Sequence, residues 1–164
     1  MLAPLPPTTC RKRLTGLERN TGRVSEPGEH DTLTHEQLLA EGYDAFNQRD
    51  AARLRELMVE DFQWNEAAEV PGRKVCKSAD EFAAYMEGFE RLWDEFSFEL
   101  LETKPGAANT LLATVRGRGR GKASTHDFEL TIHHLWRFRD GCVARMDAYL
   151  DPQEAADAAG LRGS

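Results

Sequence analysis

HDFELTIHHLWRFRDGCVARMDAYLD, residues 126–151, is the stretch whose reading decides how this chain folds. Leu130, Ile132, His134, Trp136 and Phe138 share one strand parity, while Glu129, Thr131, His133, Arg137 and Arg139 share the other. The first row is apolar apart from a single imidazole. Asp140-Gly141 supplies turn residues that tolerate positive φ, and CVARMDAYL resumes the alternation, so the spacing predicts a long antiparallel hairpin. A greasy face carrying one titratable group suggests a lined pocket.

Upstream of the hairpin, TLLATVRGRGRG (110–121) reads as another strand, with Arg116, Arg118 and Arg120 alternating with Gly117, Gly119 and Gly121. These arginines read as a solvated sheet face or a dimer contact, since no helix start follows the glycines to build a phosphate cradle. Before them, Phe96, Phe98 and Leu100 alternate in a strand that Pro105-Gly106 turns. Ser78 and Glu81 have capping-box spacing and open a predicted helix carrying Phe82, Tyr85, Met86, Phe89, Leu92 and Trp93. In FQWNE, Phe62, Trp64 and Glu66 share a strand parity, so an inward row would end in a carboxylate. Further upstream, Thr34 and Gln37 cap a helix with Leu38, Leu39, Tyr43 and Phe46 on one face, and Asp50 caps a second, shorter helix. At the far end Asp151 caps a last short helix, and this acidic, alanine-rich tail reads as a cap on the fold. Helices first and mainly antiparallel strands afterwards make the class α+β, with helices covering one face of a curved sheet.

The 164 residues fit one domain at 32–164, preceded at 1–31 by a segment with four of the seven prolines and no periodicity, which reads as a disordered tail. A net charge of −7 argues against general nucleic-acid binding. No apolar run approaches the roughly 18 residues of a membrane span, and the tail lacks the apolar core of a secretory signal. Cys10, Cys76 and Cys142 are widely separated and lack metal-ligand spacing, so they read as reduced thiols of a cytoplasmic protein.

The order helix, short helix, strand, helix and four strands, with YDAFNQRD, HHLWRFRDG and AYLD in sequence, resembles the nuclear transport factor 2-like superfamily and, within it, the SnoaL-like polyketide cyclase group, over residues 33–161. The resemblance implies a cone-shaped half-barrel with an apolar cavity, and a homodimer packed through its sheet. It implies no single function, because one such fold hosts many chemistries. Ketosteroid isomerases of this fold place a general-base aspartate where this chain has Glu66 and an oxyanion-stabilising aspartic acid where it has His134. Their first-helix tyrosine matches Gly42, whereas the tyrosine here is Tyr43, about 100° around the helix. Limonene epoxide hydrolases need a last-strand aspartate where this chain has Ala148, and alternation turns Asp147 away.

The catalytic candidates are therefore Glu66 as base and His134 as donor. Each also has a plainer reading, Glu66 as a solvated carboxylate at a strand end and His134 as a hydrogen-bonded core histidine. Tyr43, Trp64, Tyr85, Phe89, Trp136 and Ala148 are the expected ligand-binding set, although aromatics at core spacing also serve simply as packing. No metal and no cofactor are expected, since His133 and His134 point to opposite faces. The expected function is binding of a small hydrophobic molecule in an apolar cavity, with metal-free acid/base isomerisation, cyclisation or dehydration. The alternative is a non-catalytic ligand-binding or dimerisation module. An adaptor role would use the outer sheet face at Arg116, Arg118 and Leu135. Neither nucleic acid nor membrane is an expected partner.

Overall fold

The computed structural model describes residues 33–70, 72–123 and 126–161, so the segment read as a tail lies outside the described residues. Helix α1 (His35–Asn47) starts with a full capping box: Thr34 Oγ1 accepts from Gln37 N at 3.1 Å, and the Gln37 side chain accepts from Thr34 N at 2.9 Å. Leu38, Leu39, Tyr43 and Phe46 are buried on its inward face. Arg49 then takes a left-handed φ of 59°, and Asp50 caps α2 (Ala51–Leu57) by accepting from Arg53 N at 3.0 Å. Strand β1 (Met58–Asn65) and the short β2 (Val75–Cys76) follow.

Ser78 caps α3 (Ala79–Glu87), but the helix predicted to continue through Trp93 stops at Gly88. A single turn, α4 (Phe89–Leu92), leads directly into β3 (Trp93–Pro105). The reason is tertiary. Trp93 pairs with Gly121, and Lys122 N donates to Leu92 O at 3.0 Å, so sheet pairing captures residues whose periodicity is helical. Leu92 is left 63% exposed.

Strands β4 (Thr110–Gly121), β5 (Asp127–Arg139) and β6 (Cys142–Tyr149) and helix α5 (Pro152–Ala158) complete the chain. The six strands are ordered β2-β1-β6-β5-β4-β3, and β1 runs parallel to β6 in an otherwise antiparallel, open sheet. The predicted β5–β6 hairpin turns at Asp140 and Gly141, with φ of 56° and 77°. Such a pair of positive angles matches the twist of the strands it joins.

The inner sheet face presents Ala113, Val115, His134, Trp136 and Met146 to the helices, and this is the main core. On the outer face, Leu112 and Leu135 form a separate cluster with Ala155 and Ala159 of the C-terminal segment. That cluster places α5 over the outer face, and it corrects the adaptor reading at one residue: Leu135 is fully buried and offers no docking surface. Beside it lie exposed cross-strand pairs, Arg116 with Glu99 at 3.0 Å and Glu129 at 3.2 Å, and Arg120 with Asp127 at 2.7 Å. Solvent screening leaves such exposed pairs little weight in stability. The intervening glycines face inward. A Cβ on Gly119 would lie 2.9 Å from Glu95 O and 3.1 Å from the Phe96 and Phe128 rings, so glycine is what lets those rings close over β4.

The free edge of β3 is covered by the end of α1. Asn47 Nδ2 donates to Phe98 O and Phe98 N donates to Asn47 Oδ1, both at 2.9 Å, so one side-chain amide takes the place of a neighbouring strand. Arg49 adds a 2.8 Å bond to Phe96 O. The uniformly reduced thiols read from the sequence are corrected: Cys142 is disulfide-bonded. Count and spacing say nothing about which sulfurs approach in space. Cys76 is a free thiol, pushed up to about 11 by burial. No helix among the described residues is long and apolar enough to cross a membrane.

Candidate functional site

The site is built where α1, β1 and β5 face one another. Tyr43 projects from the buried stripe of α1, and its hydroxyl lies 2.7 Å from His134 Nδ1 on β5. Trp136, two residues further along the same inward row, donates its Nε1–H to the Tyr43 oxygen at 2.9 Å. One residue further along the helix than the position matched to the family's tyrosine, Tyr43 sets its hydroxyl directly against the imidazole. Burial raises the Tyr43 phenol far above its ordinary range, and burial with the neighbouring His133 drives the His134 imidazole down to about 3. Both groups are therefore neutral at physiological pH. His133 points the other way, with Nδ1 3.4 Å from Thr114 Oγ1.

A cavity of about 30 Å³ lies between the α1–α2 hairpin and the sheet. Its wall includes Leu38, Gly42, Tyr43, Phe46, Trp64, Phe82, Phe98 and Trp136. That is room for one or two waters, against the roughly 300–1,000 Å³ of ligand pockets. Aromatic rings fill the rest, among them Trp64 against Phe82 at 4.6 Å and Phe46 against Phe98 at 5.0 Å.

Glu66 sits just past the end of β1, half-buried. Its Oε1 accepts from Lys74 N at 2.9 Å, and its Oε2 accepts from the Tyr85 hydroxyl and, at 3.4 Å, from Trp64 Nε1. Burial, then the hydrogen bond to Glu66 and its charge, raise the Tyr85 phenol. The carboxylate thus ties the loop between β1 and β2 to α3. Of the residues singled out from the sequence, Tyr43, Trp64 and Trp136 line the cavity, whereas Glu66, His134, Tyr85, Phe89 and Ala148 lie outside its wall. Phe89 packs on Tyr85 at 5.0 Å, and Ala148 is the strand neighbour of His134. Trp64 joins these parts: it lines the cavity, packs 5.8 Å from the His134 ring and donates to Glu66. Among the described residues no cluster of His, Cys, Asp or Glu could hold a metal ion.

Two features escaped the sequence. The Trp136 to Tyr43 hydrogen bond spans 93 residues, and the Asn47 to Phe98 pairing spans 51. Neither leaves a periodic signal. Gly42, noted only as the place of a missing tyrosine, lines the cavity, and a Cβ added there meets nothing within 4 Å.

The sequence profile described as the SnoaL-like domain matches residues 39–146. The chain belongs to that family. Solved structures agree on the fold. A nuclear transport factor 2-like protein from Burkholderia thailandensis is 26% identical, with a TM-score of 0.63 over 77% of this chain and 98% of that one. Another of unknown function from Burkholderia pseudomallei is 18% identical, with a TM-score of 0.62 over 76% and 95%. A Catenulispora acidiphila protein with a ketosteroid isomerase-like fold, in complex with trimethylamine, is 12% identical, with a TM-score of 0.63 over 78% and 95%. No curated protein matches the sequence. The SnoaL-like domain is thus the cone expected from the order of elements, with its sheet open, α1 to α4 on the inner face and α5 on the outer one.

Proposed function

We propose that this SnoaL-like domain binds a small, flat hydrophobic molecule in the space between the α1–α2 hairpin and the sheet. The observation that carries the reading is a neutral Tyr43–His134 pair set against an otherwise apolar interior. Polar groups of this kind orient a ligand that apolar walls hold by contact area. Small-molecule occupancy in a protein of the same fold, the trimethylamine complex, supports the class of function. The cavity has to widen on binding, and displacement of Trp64, which lines it and touches both His134 and Glu66, would bring ligand, His134 and Glu66 together. Opening costs free energy and lowers the apparent affinity by the fraction of open molecules.

Gly42 supplies the test. Gly42→Leu adds bulk to the cavity wall while removing no contact, and glycine replacement inside a helix contributes up to about 1 kcal/mol of stability. Titration of a bicyclic apolar probe, followed by tryptophan fluorescence, should show saturable binding in the wild type. In the variant the affinity should drop at least about tenfold, with cooperative thermal unfolding showing that the fold is kept despite the overpacking. Equal binding by both proteins would place the ligand elsewhere.

Proton transfer is the further reading, favoured by the contact of Trp64 with both Glu66 and His134. Glu66 would exchange one of its donors for a substrate C–H next to a carbonyl, and His134 would donate to the developing oxyanion. On any substrate turned over, Glu66→Gln should lower kcat by about 100-fold. An unchanged rate removes Glu66 from that role.

A further inference from the structure

We propose that the unpaired half of β5 binds a second copy of this chain: Phe128–Ile132 pairs antiparallel with its own counterpart about a two-fold axis at Leu130, joining two open sheets edge to edge. This association does not depend on ligand binding.

The free edge has a local cause. Strand β5 runs for 13 residues but β6 for only 8, because Asp151 caps α5 and Pro152 stands in its first turn, which ends the strand. Pairing with β6 therefore reaches back only to His133, while β4 stays paired with β5 as far as Asp127. Over Asp127–Ile132 every second residue turns its N–H and C=O away from β4, and among the described residues these groups have no backbone partner.

Proteins blunt such edges with a bulge, a proline, an inward charge, a very short strand or a covering side chain. Here β3 is covered by Asn47 and Arg49, and β2 is two residues long. The free half of β5 has none of these devices. Its register with β4 is unbroken, it contains neither proline nor lysine, and its inner row is Phe128, Leu130 and Ile132. Leu130 stands on the inner face opposite Gly117, in the row of Phe98, yet it is left 43% exposed.

The pattern of residues fits a copy of itself. Residues opposite each other in an antiparallel pair share a face, so a two-fold axis at Leu130 sets Leu130 against Leu130, Phe128 against Ile132 and Glu129 against Thr131. The inner row is then apolar across both copies, and no like charges oppose each other on the outer row. Beyond Ile132 an incoming strand would meet Tyr149 of β6, so the pairing ends there. The outer sheet face is the poorer surface for a second copy, since α5 covers Leu112 and Leu135 and the arginine–glutamate ladder beside them is charged.

So short an interface associates weakly, and sedimentation velocity on the full chain should show a reversible dimer by about 200 µM. Leu130→Lys sets two ammonium groups face to face and should weaken the dimer at least about tenfold, with cooperative thermal unfolding showing that the fold is kept. Leu130→Cys should give a disulfide-linked dimer under mild oxidation, because residues opposite each other at the axis bring their Cβ atoms within disulfide reach. Leu101→Cys on β3, 41% exposed, should not. A monomer at every concentration overturns the proposal. So does a dimer that Leu130→Lys leaves unchanged, and so does one in which Leu130→Cys links no more than Leu101→Cys; the cross-link decides even where the lysine variant fails to fold.

Discussion

Phe46→Ala should lower the stability of this domain by about 3–5 kcal/mol, the range for truncating a large buried aromatic. Phe46 is 3% exposed and is the ring on which the others converge: Phe98 at 5.0 Å, Phe89 at 5.5 Å, Phe96 at 6.2 Å, Phe82 at 6.3 Å and Trp64 at 6.4 Å. These partners come from β1, α3, α4 and β3, so the side chain holds the first helix to most of the inner face. The guanidinium of Arg49 lies 5.1 Å from its centroid and adds a cation–π contact. Truncation would join a new void to the existing cavity, whose wall Phe46 already forms. Urea unfolding of the two proteins measures the loss, and addition of benzene should restore part of it by filling the void. A loss under about 1 kcal/mol would mean that the surrounding rings collapse into the gap and that Phe46 does not hold the interior.

Stability should also fall steeply in mild acid because of His134. Its pKa is about 3 in the folded protein against an ordinary 6.5, so below pH 6.5 the unfolded chain binds a proton that the folded chain refuses. The contribution is fully present above pH 6.5 and is lost progressively as the pH falls toward 3. The slope from this one group is about 1.4 kcal/mol per pH unit, or roughly 2 kcal/mol between pH 6.5 and 5. His133, whose pKa is also lowered by burial, acts in the same sense, opposed by the charges of Asp151 and Glu102. Unfolding curves at several pH values for wild type and His134→Gln separate this group from the rest. The variant is expected to be flatter over that window, whatever its stability at pH 7. Equal slopes would show that the imidazole takes up a proton in the native state.

The same residue shows how far sequence reading carries. Its inward parity on β5 was legible, as were the capping boxes of α1, the Asp50 and Asp151 caps and the Asp140-Gly141 turn. Whether His134 would have a partner was not, because Tyr43 is 91 residues away and its hydroxyl arrives by the angle at which α1 crosses the sheet. Glu66 was legible as the end of an inward row, but the donors around it come from Lys74 and Tyr85, beyond the strand whose alternation identified it. Trp93 misled because its helical spacing is real, while β4 pairs with it more strongly than a further helical turn would.

The sequence by itself determined the elements and their faces, because caps, turns and alternation are decided by residues a few positions apart. It also determined the family, through the order of those elements. Only the tertiary structure decided that α5 lies on the outer face over Leu112 and Leu135, that Asn47 covers the edge of β3, and that Trp136, Tyr43 and His134 form one network. Those outcomes depend on strand register and helix placement, where a shift of a few ångströms breaks a hydrogen bond without changing any local pattern.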